Sequence, residues 1–205
     1  MFVYELICGL HLEFQNKCRY LYFMKNTAFT ICLLLLGFLG APARADLSNT
    51  NLFTLNTIYL DRDYTDNGVK YKYKTTDTDI RLGHVFRQAY AGIIYSQSAN
   101  DSTDSNRTSY GLSGGYFSDR DLYIQVHYFL TSKYDHGGGI VDDKGTGYEI
   151  DLGGLFRFTS SFYLGLLMAY KSFSYTQRTI NGVSAGTSVA HRELMPLFTV
   201  GFALQ

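Results

Sequence analysis

Residues 145–175 read GTGYEIDLGGLFRFTSSFYLGLLMAYKSFSY. On both sides of the central TSS, apolar residues recur at every second position, from Tyr148 to Phe158 before it and from Phe162 to Tyr170 after it. Side chains alternate between the two faces of a β-strand, so a period of two indicates an extended chain. The pattern predicts a β-hairpin with one apolar face.

The opposite face of this hairpin does not suit water. It carries several glycines, the acids Glu149 and Asp151, the basic residues Arg157 and Lys171, and apolar residues. The apolar face, in contrast, ends in aromatic side chains near both ends. This combination is typical of a strand whose apolar side meets lipid while its other side fills a narrow barrel lumen.

The composition favours an all-β chain. Among 205 residues there are 18 Tyr, 20 Gly, 2 Pro and no Trp, and charged residues make up 18%, below the ~25% of an ordinary soluble domain. The formal net charge is zero and no basic block is present, which argues against a nucleic-acid partner.

The N-terminal 45 residues read as a leader. Met24 and Lys25 precede an apolar run and then the small-residue sequence Ala43-Arg44-Ala45, the pattern of a cleaved signal peptide. We predict that residues 1–23 are an extension that precedes the true start at Met24, that residues 24–45 are the signal peptide, and that residues 46–205 form the barrel domain. All three cysteines lie in the leader, so the mature chain offers no thiol chemistry.

The same alternation divides the rest of the chain into eight strands. Their predicted bounds are about 51–64, 69–86, 89–98, 107–118 and 122–134, then the two arms of the 145–175 hairpin, and finally 188–204. Short turns follow Phe86, Ser118 and Phe158, and longer polar loops are predicted at 65–68, 99–106, 135–144 and 177–187. Long and short connections therefore alternate, as in bacterial outer-membrane barrels. We predict an all-β fold, an eight-stranded antiparallel up-and-down transmembrane β-barrel. The faces of strands one and three stay unassigned, and Pro196 is expected to need a bulge.

In this architecture residues 51–204 resemble the small eight-stranded outer-membrane barrels of the OmpA/OmpX type. The segment LFTVGF at 197–202 looks like the terminal signal that the barrel assembly machinery recognises, with Phe198, Val200 and Phe202 as its residues. The family usually ends on the aromatic residue, whereas Ala203-Leu204-Gln205 follow here.

The resemblance implies a monomeric integral protein of the Gram-negative outer membrane, in contact with membrane lipid and lipopolysaccharide. It implies no enzymatic activity and no cofactor. The expected role is structural, adhesive or surface-interacting, through the extracellular loops.

The polar residues on the predicted lumen faces are the candidate site. An eight-stranded barrel is just wide enough for side chains to fill it, so we interpret them as a packed polar network. The alternative is a narrow porin-like ion channel that needs this network to rearrange. The network comprises Asp79, Arg81, Gln125, His127, Glu149, Asp151, Arg157, Lys171 and Glu193.

A soluble periplasmic lipocalin-like barrel is the competing fold, since it is also eight-stranded. The scarcity of Lys and Glu on the polar faces and the lack of Trp speak against it. No catalytic, cofactor-binding or metal-binding residue is predicted. The histidines are scattered singly, and the acids and histidine between Asp135 and Asp143 are interpreted as solvated loop residues.

Overall fold

The computed structural model describes residue 47 and residues 49–66, 69–118, 122–159 and 161–204. The predicted leader, residues 1–45, lies outside these residues, so the start at Met24 and the signal peptide stay predictions. Within the described part of the chain, no helix is long and apolar enough to span a membrane.

Eight antiparallel strands form a closed ring, each pairing with its neighbours in sequence and the last pairing with the first. The predicted up-and-down barrel of eight strands is therefore confirmed. The strands are β1 (Thr50–Asp66), β2 (Val69–Phe86), β3 (Ala89–Asn100), β4 (Ser105–Phe117), β5 (Leu122–Asp135), β6 (Ile140–Arg157), β7 (Phe162–Ile180) and β8 (Val183–Leu204).

The strands run much further than predicted at the end opposite the three short turns. The predicted loop 135–144 is largely the ends of β5 and β6, and the predicted loop 177–187 is largely the ends of β7 and β8. These two loops are therefore much shorter than predicted. Asn181 and Gly182, with φ of 48° and 84°, form the tight hairpin turn that suits the twist of two long strands.

The pairing between β1 and β8 is the shortest in the ring. It extends from Asn51–Leu204 to Thr57–Phe198 and stops there, although β8 stays paired with β7 through Pro196, opposite Met168. No register shift occurs at Pro196, so the expected bulge is absent. Because the ladder to β1 has already ended, the missing amide hydrogen of proline breaks no bond on that side.

Apolar side chains fill the interior near the short turns. We call this group the apolar plug. It includes Leu52, Val85, Tyr90, Phe117, Tyr123, Leu155, Tyr163, Leu167 and Leu197. The plug explains why strand one shows poor alternation: Leu52 and Ile58 point inward, whereas Tyr59 points outward and is 56% exposed. At this end of the barrel both faces of β1 are apolar.

Candidate functional site

A buried charged layer lies beyond the apolar plug. The alternation of β2, β5, β6 and β7 turns its side chains inward, and they are fully or almost fully buried. Its members are Asp79, Arg81, Gln125, His127, Glu149, Asp151 and Lys171. Buried charges persist only when they are paired and hydrogen-bonded, so the pairing of each member decides what the layer can do.

Arg81 is the centre of this layer. Its Nη1 donates to Gln125 Oε1 (3.0 Å). Its Nη2 donates to Glu149 Oε1 (2.9 Å) and lies 2.5 Å from Asp151 Oδ2. Oδ2 of a third carboxyl group, Asp79, lies 3.6 Å from the same nitrogen. One guanidinium therefore ties β2 to β5 and β6 across the lumen.

Lys171 supplies the second cation. Its Nζ donates to Asp79 Oδ1 (2.7 Å) and to Ser96 Oγ (3.2 Å), and Glu149 Oε2 lies 3.6 Å from it. Three carboxyl groups thus share two cations in a space shut off from solvent. Removing either cation would leave three buried carboxyl groups with a single cation, which is strongly unfavourable.

Ser113, His127 and Asp151 form a hydrogen-bonded chain within this layer. Ser113 Oγ and His127 Nδ1 are 2.7 Å apart, and His127 Nε2 and Asp151 Oδ2 are 3.2 Å apart. The order serine, histidine, acid is that of nucleophilic hydrolases. Here the serine and the histidine are buried and the acid is already bound to Arg81, so the chain resembles a structural hydrogen-bond network.

The same histidine also belongs to a cluster with metal-ligating groups. His127, Glu149 and Asp151 each present a ligand atom within 4.8 Å of the others. The guanidinium of Arg81 lies against both carboxylates and supplies the positive charge that a metal ion would otherwise bring.

An aromatic layer and a second ion pair lie further along the lumen. Phe129 and Phe173 are fully buried, with ring centroids 5.1 Å apart. Arg107 lies over the Phe173 ring, 4.2 Å from its centroid, and donates through both Nη atoms to the Glu193 carboxylate at 2.7 Å each. Such a bidentate pair is the strongest form of the arginine–carboxylate interaction.

At the far mouth of the lumen, Asp142 on β6 gathers basic side chains. Arg178 donates to it through Nε (2.6 Å) and Nη2 (2.8 Å). His136 Nε2 lies 2.7 Å from Asp142 Oδ2, and His191 Nε2 lies 4.0 Å from the same oxygen. The hydrogen bonds from Arg178 hold the pKa of the Asp142 carboxyl below its usual value. We call these four residues the mouth cluster.

The structure brings together seven of the nine predicted network residues in the charged layer. Glu193 belongs instead to the pair with Arg107. Arg157 is the last residue of β6 and its Nε donates to the Thr159 carbonyl (3.1 Å). Arg157 faces the lumen side but lies six residues from Asp151, about 20 Å along the strand. Alternation therefore predicted the correct face of the strand for Arg157 but not its position along the barrel axis.

Sequence reasoning missed Arg107, Ser96 and Ser113, as well as Arg178 and His191 of the mouth cluster. The interpretation of Asp142 as a solvated loop residue was wrong, because this side chain is fully buried on β6. Arg107 could have been found, since it lies two residues before Ser109 on the same face of β4. Arg178 and His191 offer no such signal, because they come from β7 and β8 and are brought to Asp142 by strand register.

The residues of the predicted assembly signal lie on the outer face of β8 at the seam. Phe53 pairs with Phe202, Leu55 with Val200, and Thr57 with Phe198. The Phe202 ring lies 6.3 Å from that of Phe53 and 5.3 Å from that of Phe162. Recognition of this segment by an assembly machinery stays a prediction.

No family model and no curated protein matches this chain. Among solved structures, the chain is similar to a protein from the de novo design of transmembrane β-barrels. The two share 13% sequence identity over 77% of this chain and 97% of the other, with a TM-score of 0.39.

Proposed function

We propose that this protein is an integral β-barrel of the Gram-negative outer membrane, exported through a cleaved signal peptide. The observation that carries the proposal is the inverted distribution of polarity. Charged side chains such as Arg81 and Lys171 are buried inside, whereas Ile93, Leu152 and Phe198 are 57%, 59% and 61% exposed on the outside. This arrangement suits lipid around the barrel and is costly in water.

The exposed apolar surface forms a belt between two rings of aromatic residues. The turn-side girdle lies near the short turns and comprises Phe53, Phe86, Tyr116, Phe156, Phe158, Phe162 and Phe202. The tyrosine girdle lies further along the strands and comprises Tyr59, Tyr95, Tyr110, Tyr128, Tyr148 and Tyr170. Aromatic rings of this kind mark the two interfaces of a membrane barrel.

The height of the belt fits a membrane. On β7 the two girdles are represented by Phe162 and Tyr170, eight residues apart. At ~3.3 Å per residue and a strand tilt of ~40°, eight residues rise about 20 Å. The apolar band of known outer-membrane barrels is ~25 Å tall.

Beyond the tyrosine girdle the outer face becomes polar. In this part of the strands, the outward-facing residues are polar or charged. They are Asp61, Lys74, Gln97, Thr108, Lys133, Thr146, Ser174 and Arg192. β6, β7 and β8 extend furthest in this direction. We propose that these polar hairpins project from the cell surface and serve a non-enzymatic role in membrane structure, adhesion or surface interaction, as in barrels of the OmpA/OmpX type.

A narrow ion channel is the second candidate function. The charged layer, the pair of Arg107 with Glu193, and the mouth cluster place ionisable groups at three levels along the lumen. The apolar plug opposes this function, because Tyr123, Tyr163 and Leu167 fill the interior at the other end. Ions would have to cross an apolar zone, so a conducting state requires the plug to move.

A soluble lipocalin-like barrel fits these observations less well. Such a barrel encloses an apolar or ligand-sized cavity and exposes polar residues to water. Here the middle of the interior holds three carboxyl groups and two cations, and the matching outer surface is apolar.

The proposal is tested by cell fractionation with gel electrophoresis of boiled and unboiled samples. We expect the protein in the outer-membrane fraction, with a mobility that changes on boiling because the folded barrel resists detergent. A soluble periplasmic protein whose mobility does not change would refute the proposal. Planar-bilayer recording then separates the two functions, since stepwise conductance would favour the channel and its absence the closed barrel.

A further inference from the structure

We infer that His136, Asp142 and His191 form a binding site for a divalent transition-metal ion of the zinc class. Each residue offers one ligand atom, and the three atoms lie within 4.8 Å of one another. The site lies beyond the tyrosine girdle, at the outer mouth of the lumen. The inference therefore rests on the fold alone and does not require the barrel to span a membrane.

The spacing of the ligand atoms suits a small ion. A tetrahedral ion bound at ~2.1 Å separates its ligands by ~3.4 Å. In the structure, Asp142 Oδ2 lies 2.7 Å from His136 Nε2 and 4.0 Å from His191 Nε2. Opening the first distance by about 0.7 Å and closing the second by about 0.6 Å would bring both imidazoles to the ligand separation expected around zinc.

The surroundings hold the imidazole rings in place. The Tyr134 ring packs on both histidines, with centroids 4.2 Å from His136 and 5.0 Å from His191. Tyr175 also approaches His191, with its ring centroid 5.7 Å away. Nε2 of His191 is buried and has no hydrogen-bond partner in the described structure, although it points towards the carboxylate. A buried imidazole nitrogen without a hydrogen-bond partner is a group that a metal ion would satisfy.

The carboxylate is oriented from behind by Arg178. Its Nε bonds Oδ1 of Asp142 at 2.6 Å, on the oxygen that the histidines do not approach. Support of a ligating carboxylate by a hydrogen-bond donor is the usual arrangement around protein metal sites. The bond from Arg178 Nη2 to Oδ2 (2.8 Å) would be displaced by the ion, whereas the bond to Oδ1 can stay.

The donor set selects the kind of ion. Two imidazole nitrogens and one carboxylate oxygen suit Zn²⁺, Ni²⁺, Co²⁺ or Cu²⁺, whereas Mg²⁺ and Ca²⁺ prefer oxygen ligands. Three protein ligands leave at least one coordination position open. The mouth of the lumen would then present a metal ion that can bind a further ligand from outside.

The inference is tested by isothermal titration of the folded barrel in detergent with zinc chloride. The protein is purified without a histidine tag and freed of metal with a chelator. We expect saturable uptake of one ion per chain. We expect His191→Gln and His136→Gln to weaken binding ~10-fold or more, with folding checked by gel mobility.

His84→Gln is the matched control, because His84 lies on the outer face near the short turns and bonds Asn51 (2.9 Å). This variant should bind zinc as the unaltered protein does. The inference is overturned if the unaltered protein shows no saturable uptake, if both mouth variants bind as well as it does, or if excess Mg²⁺ displaces the zinc.

Discussion

A lysine at the middle of the belt should destabilise the barrel, whereas a lysine on the same face of the same strand above the belt should not. Leu152 and Thr146 both point outward from β6, and the tyrosine girdle passes between them at Tyr148. Leu152 is four residues from Tyr148 and four from Phe156. At ~3.3 Å per residue and ~40° of tilt, it lies about 10 Å from either girdle, so the proposed membrane placement puts it close to the bilayer midplane.

The depth of each position sets the expected cost. A lysine at the midplane of an outer-membrane barrel costs ~2–4 kcal/mol, whereas one near the interface costs ~0–1 kcal/mol. We therefore expect Leu152→Lys to lower the free energy of unfolding by ~2–4 kcal/mol and Thr146→Lys by less than ~1 kcal/mol. In a water-soluble barrel, both exposed positions would accept lysine within ~0.5 kcal/mol.

The measurement is urea unfolding of the barrel folded into lipid vesicles. The chain has no tryptophan, so the folded fraction is read from gel mobility of unboiled samples or from tyrosine fluorescence. Equal unfolding free energies for the two variants would refute the assignment of the outer face to lipid. A large loss for Thr146→Lys together with none for Leu152→Lys would show that the belt is misplaced along the strand.

Three further predictions address the interior. Lys171→Met should cost ~3–5 kcal/mol by removing the cation that is hydrogen-bonded to Asp79 (2.7 Å), and adding Asp79→Asn should recover part of that loss. Urea unfolding of both variants checks this, and strictly additive effects would contradict the pairing. Gly153→Ala should lower the free energy of unfolding by ~1–3 kcal/mol, because a Cβ there would lie 2.7 Å from both the Tyr123 ring and Leu167 Cβ. The control is Gly186→Ala, whose Cβ would meet nothing within 4 Å. This variant should be nearly neutral in the same urea-unfolding assay. A fluorophosphonate probe should leave the folded protein unlabelled because Ser113 is buried, and labelling that Ser113→Ala abolishes would instead establish an active serine.

The strands and most of their faces could be predicted from sequence because one physical signal determines both. A strand with apolar residues on its outer face and charged residues on its inner face alternates sharply, as β6 and β7 do around Leu152 and Lys171. The signal fails where the interior is apolar as well. On β1 the plug residues Leu52 and Ile58 alternate with outward Phe53 and Tyr59, so neither face stands out.

Depth and register could not be predicted in the same way. Alternation tells which side of the sheet Arg157 lies on, yet its distance from Asp151 along the strand keeps it out of the charged layer. His191 meets Asp142 only because both strands continue past the tyrosine girdle. The polar composition of those extensions looked like loop, because serine, threonine and aspartate are common to turns and to solvated strands.

The short pairing between β1 and β8 has a consequence for the order of folding. Every other neighbouring pair of strands is joined by a hairpin and can form locally. Among the described residues, the pairing of β1 with β8 is confined to residues 51–57 and 198–204, and contacts of such high sequence separation form slowly. Closure must therefore wait until the final seven residues of β8 have been delivered. A chain that lacks them would keep the intact β7–β8 hairpin above Pro196 but would leave an open-edged sheet, which a lipid environment does not tolerate.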